Sequence, residues 1–393
     1  MSEQSAKSAV SGKHVVILLL TFLAACTSGP SHLVGLGEIS LPLNNASRSN
    51  VHNIFVATSR ARSIDPRVFF SGERSTLMHL GNVDVSVPAS HKIGNIERPQ
   101  TETADASKHF TIGQPTLFAG SEEFLAKMNI ALASRPKGQR DVLVFVHGYN
   151  THFSSAVLRM TQFVHDVGFK GVPVLFTWAS RGKAIDYVYD INSALQARYY
   201  LQELSVILSR SNADGFGIVA HSMGNLVALE AMAGLSRRPD FRPKAPLRGV
   251  MLAAPDVDFD LFVEQLKDLG PIKPKIHVLV SSDDRALSLS KLIAGGVSRV
   301  GAADPIDIAS LGLKVLDLSQ INDRSSSHHS KFANSPAIVQ MIGRGINAGN
   351  TLTTSTSNRA PTSTLVGSLF KEFRKVTSRV GGSADGGVLT VGD

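Results

Sequence analysis

Ala220-His221-Ser222-Met223-Gly224 is the stretch with the most chemistry in it. An apolar run leads into it and helical spacing leads out, so Ser222 falls on a strand-to-helix turn. In the nucleophile pattern G-x-S-x-G, such a turn holds the serine in a strained backbone conformation and lifts its hydroxyl clear of the strand ends. Crowding around the turn requires small residues two before and two after the serine. Ala220 stands where the pattern has its first glycine, and the single added methyl is expected to be tolerated. The Met223 N–H, opening the helix, would face an oxyanion forming on an attacked carbonyl. The plain alternative is a serine that only caps a helix.

A serine nucleophile needs an imidazole base, and the base needs a carboxylate to orient it. Candidate carboxylates stand just after apolar runs: Asp283 and Asp284 in SSDDRAL, and Asp256 in APDVD. One can orient the base while another caps a helix or braces a loop. Candidate imidazoles stand late in the chain, His328 and His329 in SHHSKF, with surface solvation as their alternative role. His147, in HGYN, comes well before Ser222 and reads as a structural histidine bonded inside its loop. His147 and His152 lie five residues apart across a loop-to-helix junction. That is a poor spacing for two ligands of one ion, so no metal and no cofactor are expected. Ser-x-x-Lys occurs at 180–183 and 288–291, without the partner motifs that would give it a catalytic role.

These residues must be carried by elements that converge. Strand candidates are 51–57, 82–87, 141–146, 172–177, 215–220, 247–253, 275–281 and 313–318. Helical periodicity covers 122–133, 153–167, 184–209, 224–235, 258–269, 285–293 and 336–346, while 88–120 reads as loop. The run 141–146 (DVLVFV) is apolar almost throughout, as a strand buried on both faces should be. Strands alternating with helices imply an α/β fold with a mostly parallel central sheet and helices on both faces. Such a sheet collects its site at the carboxyl ends of the strands.

In the α/β-hydrolase fold the chain order is nucleophile, acid, base, and a His-Gly segment after an early strand supplies the second oxyanion donor. Gly148 and Tyr149 fill that place, and glycine lets the backbone approach substrate closely. The set HGYN at 147–150, FTWAS at 176–180, YVYDINSA at 187–194, AHSMGN at 220–225, LAAPDVD at 252–258, DDRAL at 283–287 and HSKF at 329–332 resembles a bacterial α/β-hydrolase family of esterase-like proteins, most of them uncharacterised. The likeness spans roughly 51–346, and FVATSRAR at 55–62 with GERS at 72–75 resembles that family's N-terminal extension. Carried across by position, it implies Ser222 as nucleophile, Asp284 as acid and His329 as base, with Asp256 and His328 as the alternatives. It implies acyl transfer on a small-molecule or lipid ester, without choosing among carboxylesters, thioesters and amides. Family members commonly carry an aromatic where Lys331 stands, a departure expected to change the wall beside the base. The rival reading is a scaffold that kept the fold for binding alone.

The 393 residues are 43% hydrophobic and 18% charged, which supplies a large core and excludes global disorder. A net charge of +8 could suit anionic partners. No basic-aromatic nucleic-acid module appears, so a solvated cationic surface is preferred and no nucleic-acid partner is expected. Cys26 is the chain's one cysteine, so no intrachain disulfide can form. It follows Lys7, Lys13 and an apolar run at 15–25 that is too short to cross a bilayer comfortably. That layout is a secretory signal. LAAC at 23–26 resembles the lipobox of bacterial lipoproteins, which implies a signal peptide at 1–26, lipidation of Cys26 and a membrane anchor in the cell envelope. A plain signal peptide is the alternative. Thr27, by that likeness, leans towards the outer membrane. Residues 27–50 read as a tether, 51–346 as the hydrolase domain, and 347–393 as a disordered tail in preference to a small basic helix at 365–376.

Overall fold

The computed structural model describes residues 31–33, 50–99, 104–269, 274–321, 327–347 and 387–390. Cys26, most of the tether and the 365–376 stretch lie outside them. An antiparallel pair opens the chain, β1 (Val51–Arg62) and β2 (Phe70–Ser86). Two short strands, β3 (Thr111–Ile112) and β4 (Thr116–Leu117), add to β2 from the stretch expected to be loop. After α1 (Ser121–Ala133) come β5 (Asp141–Val146), α2 (Phe153–Asp166), β6 (Val172–Thr177), α3 (Tyr187–Ser209), β7 (Gly215–His221) and α4 (Gly224–Leu235). Then follow β8 (Leu247–Ala253), α5 (Phe259–Asp268), β9 (Ile276–Val280), α6 (Arg285–Ile293), α7 (Pro305–Ser310), β10 (Lys314–Asp317), α8 (Lys331–Asn334), α9 (Pro336–Asn347) and β11 (Gly387–Thr390).

Among the described residues the strand order is β11-β10-β9-β8-β7-β5-β6-β1-β2-β3, and every neighbouring pair from β11 to β1 is parallel. The chain steps from β5 out to β6, then crosses back over β5 to β7 and continues away. That reversal opens a crevice at the carboxyl ends of β5 and β7. Pleating sends alternate residues to opposite faces. Val142, Val144 and Val146 enter one core layer with α1, α3 and α4, while Leu143 and Phe145 enter a second with α2 and α9.

The differences from expectation lie where pattern carries least information. β1 continues past 57 to Arg62 because Thr58, Ser59 and Arg60, though polar, are buried. β2 begins at Phe70 rather than 82, its polar outer half held by backbone pairing with β1 instead of by alternation. The helix expected from 184 opens with a 3₁₀ turn, Ala184–Asp186. α7 and α8 are too short to show a period, although Asp304 caps α7 through the Ile306 N–H. Gly387–Thr390, within the expected disordered tail, pairs in parallel with β10 and sets Val388 against the first core layer.

Candidate active site

Ser222 has φ 54°, a left-handed conformation that costs any residue with a Cβ. The turn is clamped from both sides. The Ser222 N–H donates to the Ala253 carbonyl at 3.0 Å. The Ser222 carbonyl accepts from Asn225 Nδ2 at 2.8 Å and from the Asp256 N–H at 3.2 Å. A Cβ on Gly224 would meet the His147 carbonyl oxygen at 2.4 Å, and one on Gly148 would meet the Ser222 Cβ at 2.7 Å. Glycine is therefore required at both places, and the elbow is pressed against the His-Gly segment. Ala220 buries its methyl in the first core layer. No backbone acceptor among the described residues takes the Met223 N–H, which opens α4 beside the serine.

Asp284 and His329 meet. His329 Nδ1 donates to Asp284 Oδ2 at 2.7 Å, and Asp284 Oδ1 accepts from the Leu287 N–H at 3.0 Å as the cap of α6. Burial works against the His329 cation, but the Asp284 carboxylate outweighs it and raises the imidazole pKa above its usual 6.5. With its proton on Nδ1, neutral His329 keeps Nε2 as an acceptor. Ser222 and His329 line one cavity of about 310 Å³, shared with Gly148, Tyr149 and Asp256. Asp256 engages neither candidate imidazole by hydrogen bond. It accepts from Ser290 Oγ at 2.5 Å and Tyr187 Oη at 3.1 Å, and faces Arg299 Nε at 3.4 Å. His328 does not line this cavity.

Lys331 stands outside the cavity that holds Ser222. Its buried ammonium turns to Asp283, donating to both carboxylate oxygens at 2.7 and 2.8 Å and to the Leu318 carbonyl at 3.0 Å. The pairs Asp283–Lys331 and Asp284–His329 thus fasten one loop to the other. His221 was given no role by the sequence reading, although it adjoins the serine. Its ring lies 4.7 Å from that of His329 and 4.9 Å from that of Phe332, and Nε2 donates to the His329 carbonyl at 3.1 Å. Burial, then the neighbouring His329, holds it neutral, well below the usual histidine pKa.

A buried network supports the His-Gly loop. Arg60 Nε donates to Thr177 Oγ1 at 2.9 Å, Nη1 to the Ser71 and Ser180 carbonyls at 3.1 and 2.8 Å, and Nη2 to the Thr151 carbonyl at 2.6 Å. Asp190 accepts from Ser180 Oγ at 2.5 Å, the Asn150 N–H at 3.1 Å and the Arg181 N–H at 3.0 Å. His147 Nδ1 donates to the Gly148 carbonyl at 2.7 Å, Nε2 accepts from the Trp178 N–H at 3.1 Å, and the ring stacks on Trp178 at 5.1 Å. Burial and then Arg60 push its pKa down to about 3, so it stays neutral. FVATSRAR, HGYN, FTWAS and YVYDINSA, scattered along the chain, all contribute to this one network.

The cavity's remaining wall includes Ile96 and Arg98 from the 88–99 loop and Arg159 from α2. His91 fastens that loop, donating from Nδ1 to Glu97 and from Nε2 to Asp166, each at 2.7 Å. Among the described residues the group with metal-ligand spacing is His91 with the consecutive pair His165 and Asp166, and it is not part of the cavity. Here His91 bonds Asp166, and His165 Nδ1 pairs with His52 Nε2 at 3.0 Å.

A parallel sheet with a strained serine at its crossing point and helices on both faces defines the α/β-hydrolase class. The chain belongs to the family described as "Alpha/beta hydrolase of unknown function (DUF900)", whose model matches residues 122–345, more than half its length. No curated protein matches it. Among solved structures it is similar to the peroxisomal alpha-beta-hydrolase Lpx1 of Saccharomyces cerevisiae, at 9% identity and a TM-score of 0.31, over 85% of this chain and 97% of that one.

Two outcomes follow from the geometry. An active base must be neutral, so kcat/KM should rise as pH climbs through the raised His329 pKa, with an acidic limb above 6.5. Asp284→Asn should move that limb to lower pH and cut kcat by about four orders of magnitude, while Asp256→Asn should show mainly as a lower melting temperature. A full pH profile of each variant separates them. Arg60→Met strips the Ser71, Thr151 and Ser180 carbonyls of a buried donor and should lower unfolding free energy by ~3–5 kcal/mol, read from the urea midpoint. Arg60→Lys should rescue little, since one ammonium cannot span those acceptors.

Proposed function

We propose that the protein is a serine esterase, acting through Ser222, His329 and Asp284 by an acyl-enzyme. The observation that carries this reading is the 2.7 Å Asp284–His329 pair beside the strained Ser222 in one cavity. His329, oriented by Asp284, removes the Ser222 proton as the oxygen attacks an ester carbonyl. The Met223 N–H and the Gly148–Tyr149 backbone receive the oxyanion. His329 then protonates the departing alcohol, and water, activated by the same imidazole, releases the acid. The substrate is a small-molecule or lipid ester. A fluorophosphonate probe should label the folded protein, and Ser222→Ala should abolish labelling and reduce p-nitrophenyl ester turnover by about five to six orders of magnitude. Labelling that survives the substitution would defeat the proposal.

We also propose that Cys26 carries a lipid that anchors the enzyme in the bacterial cell envelope. Support comes from the Lys7–Lys13 region, the apolar run and LAAC at 23–26. Intact mass of the exported protein should correspond to a chain that begins at lipidated Cys26; an unmodified start elsewhere would exclude it.

A further inference from the structure

We propose that the catalytic cavity selects esters bearing a carboxylate, which Arg98 and Arg159 hold close to the scissile bond. The inference rests on the esterase reading and names its substrate class. Both arginines line the cavity that contains Ser222 and His329. Arg159 Nη1 donates to Gln162 Oε1 and to Asn334 Oδ1, each at 2.8 Å. Both acceptors are neutral. Arg98 donates to no acceptor among the described residues, and its Nη1 is buried without a partner. The two charges also sense each other. Burial brings Arg159 down to about 10, with Arg98 the next cause.

Among the described residues, the carboxylates about the cavity are already engaged. Asp256 serves Ser290, Tyr187 and Arg299. Asp284 serves His329 and the α6 N-terminus. Asp166 accepts from His91, the Gly94 N–H and Gln162. A half-buried guanidinium with no acceptor is costly. A carboxylate matches its planar fork with two parallel hydrogen bonds. The loop that carries Arg98 is held beside it, because its neighbour Glu97 accepts from His91 and from the Lys92 N–H. Leu287, Leu289 and Ile293 bring an apolar wall from α6. The fitting substrate is therefore an ester with an anionic end and an apolar end, small enough for a cavity of about 310 Å³.

The test compares kcat/KM within two isosteric pairs, using the full chain. One pair is p-nitrophenyl hydrogen glutarate against p-nitrophenyl pentanoate. The other is 4-acetoxybenzoate against its methyl ester, which places the charge on the leaving side. The charged member should be preferred in at least one pair. Arg98→Gln should cut that preference ~10- to 100-fold, and Arg98→Lys should restore part of it. Melting curves and fluorophosphonate labelling of each variant show that the fold and nucleophile persist. Preference for the neutral ester in both pairs by labelled wild-type protein would overturn the inference. So would a preference unmoved in folded Arg98→Gln. Absence of both labelling and ester turnover in the wild type would instead bring down the esterase reading, and this inference with it.

Discussion

The buried guanidinium of Arg60 sets the constraint under which the site exists. A buried cation must have its donors satisfied, and here the acceptors come from the end of β6, the loops after β5 and β6, and the start of β2. Satisfying one residue therefore fixes the loop that approaches the serine. Burial lowers the Arg60 pKa to about 9, while the nearby Asp190 works the other way. The charge is kept, and so is the geometry. Arg60 lies outside residues 122–345, the span of the family match. The N-terminal strand pair is thus part of the site's support rather than an appendage to the fold.

Three imidazoles around the serine show how environment assigns roles to one residue type. His147 is buried and His221 half-buried, each near positive or potentially positive groups, so both are held neutral. Each spends its proton on a backbone carbonyl, in its own loop for His147 and at His329 for His221. His329 alone faces a buried carboxylate, and its pKa rises. The two neutral rings act through the backbone segments they hold; the third has the chemistry a base needs.

The segment that carries His329 is tied twice to the one that carries Asp284. Consecutive carboxylates, Asp283 and Asp284, meet Lys331 and His329. Lys331 is nearly fully buried and bonded to two carboxylate oxygens and a carbonyl. Lys331 is buried but the Asp283 side chain is 41% exposed, so solvent screens the pair on one side. Because Lys331 is drawn to Asp283, the cavity wall beside His329 is left to other side chains.

The amino-acid sequence by itself determined the alternation of strands and helices, the turn at Ser222 and the small set of carboxylates and imidazoles able to serve it. Apolar runs and periodicity carry that information locally: β5, β6, α4 and β8 have the bounds their patterns predict. Sequence likeness, rather than pattern, favoured Asp284 over Asp256 and His329 over His328. Only tertiary structure decided which pair touches, because Asp284 and His329 are 45 residues apart and both aspartates stand at strand ends. It also decided that Arg60, Asp190 and His147 share one network, that Lys331 turns from the cavity, and that Arg98 and Arg159 enter it. These facts depend on where a side chain points and what is buried around it. Residue spacing along a strand or helix does not encode contacts between elements that meet only when the sheet closes over its core.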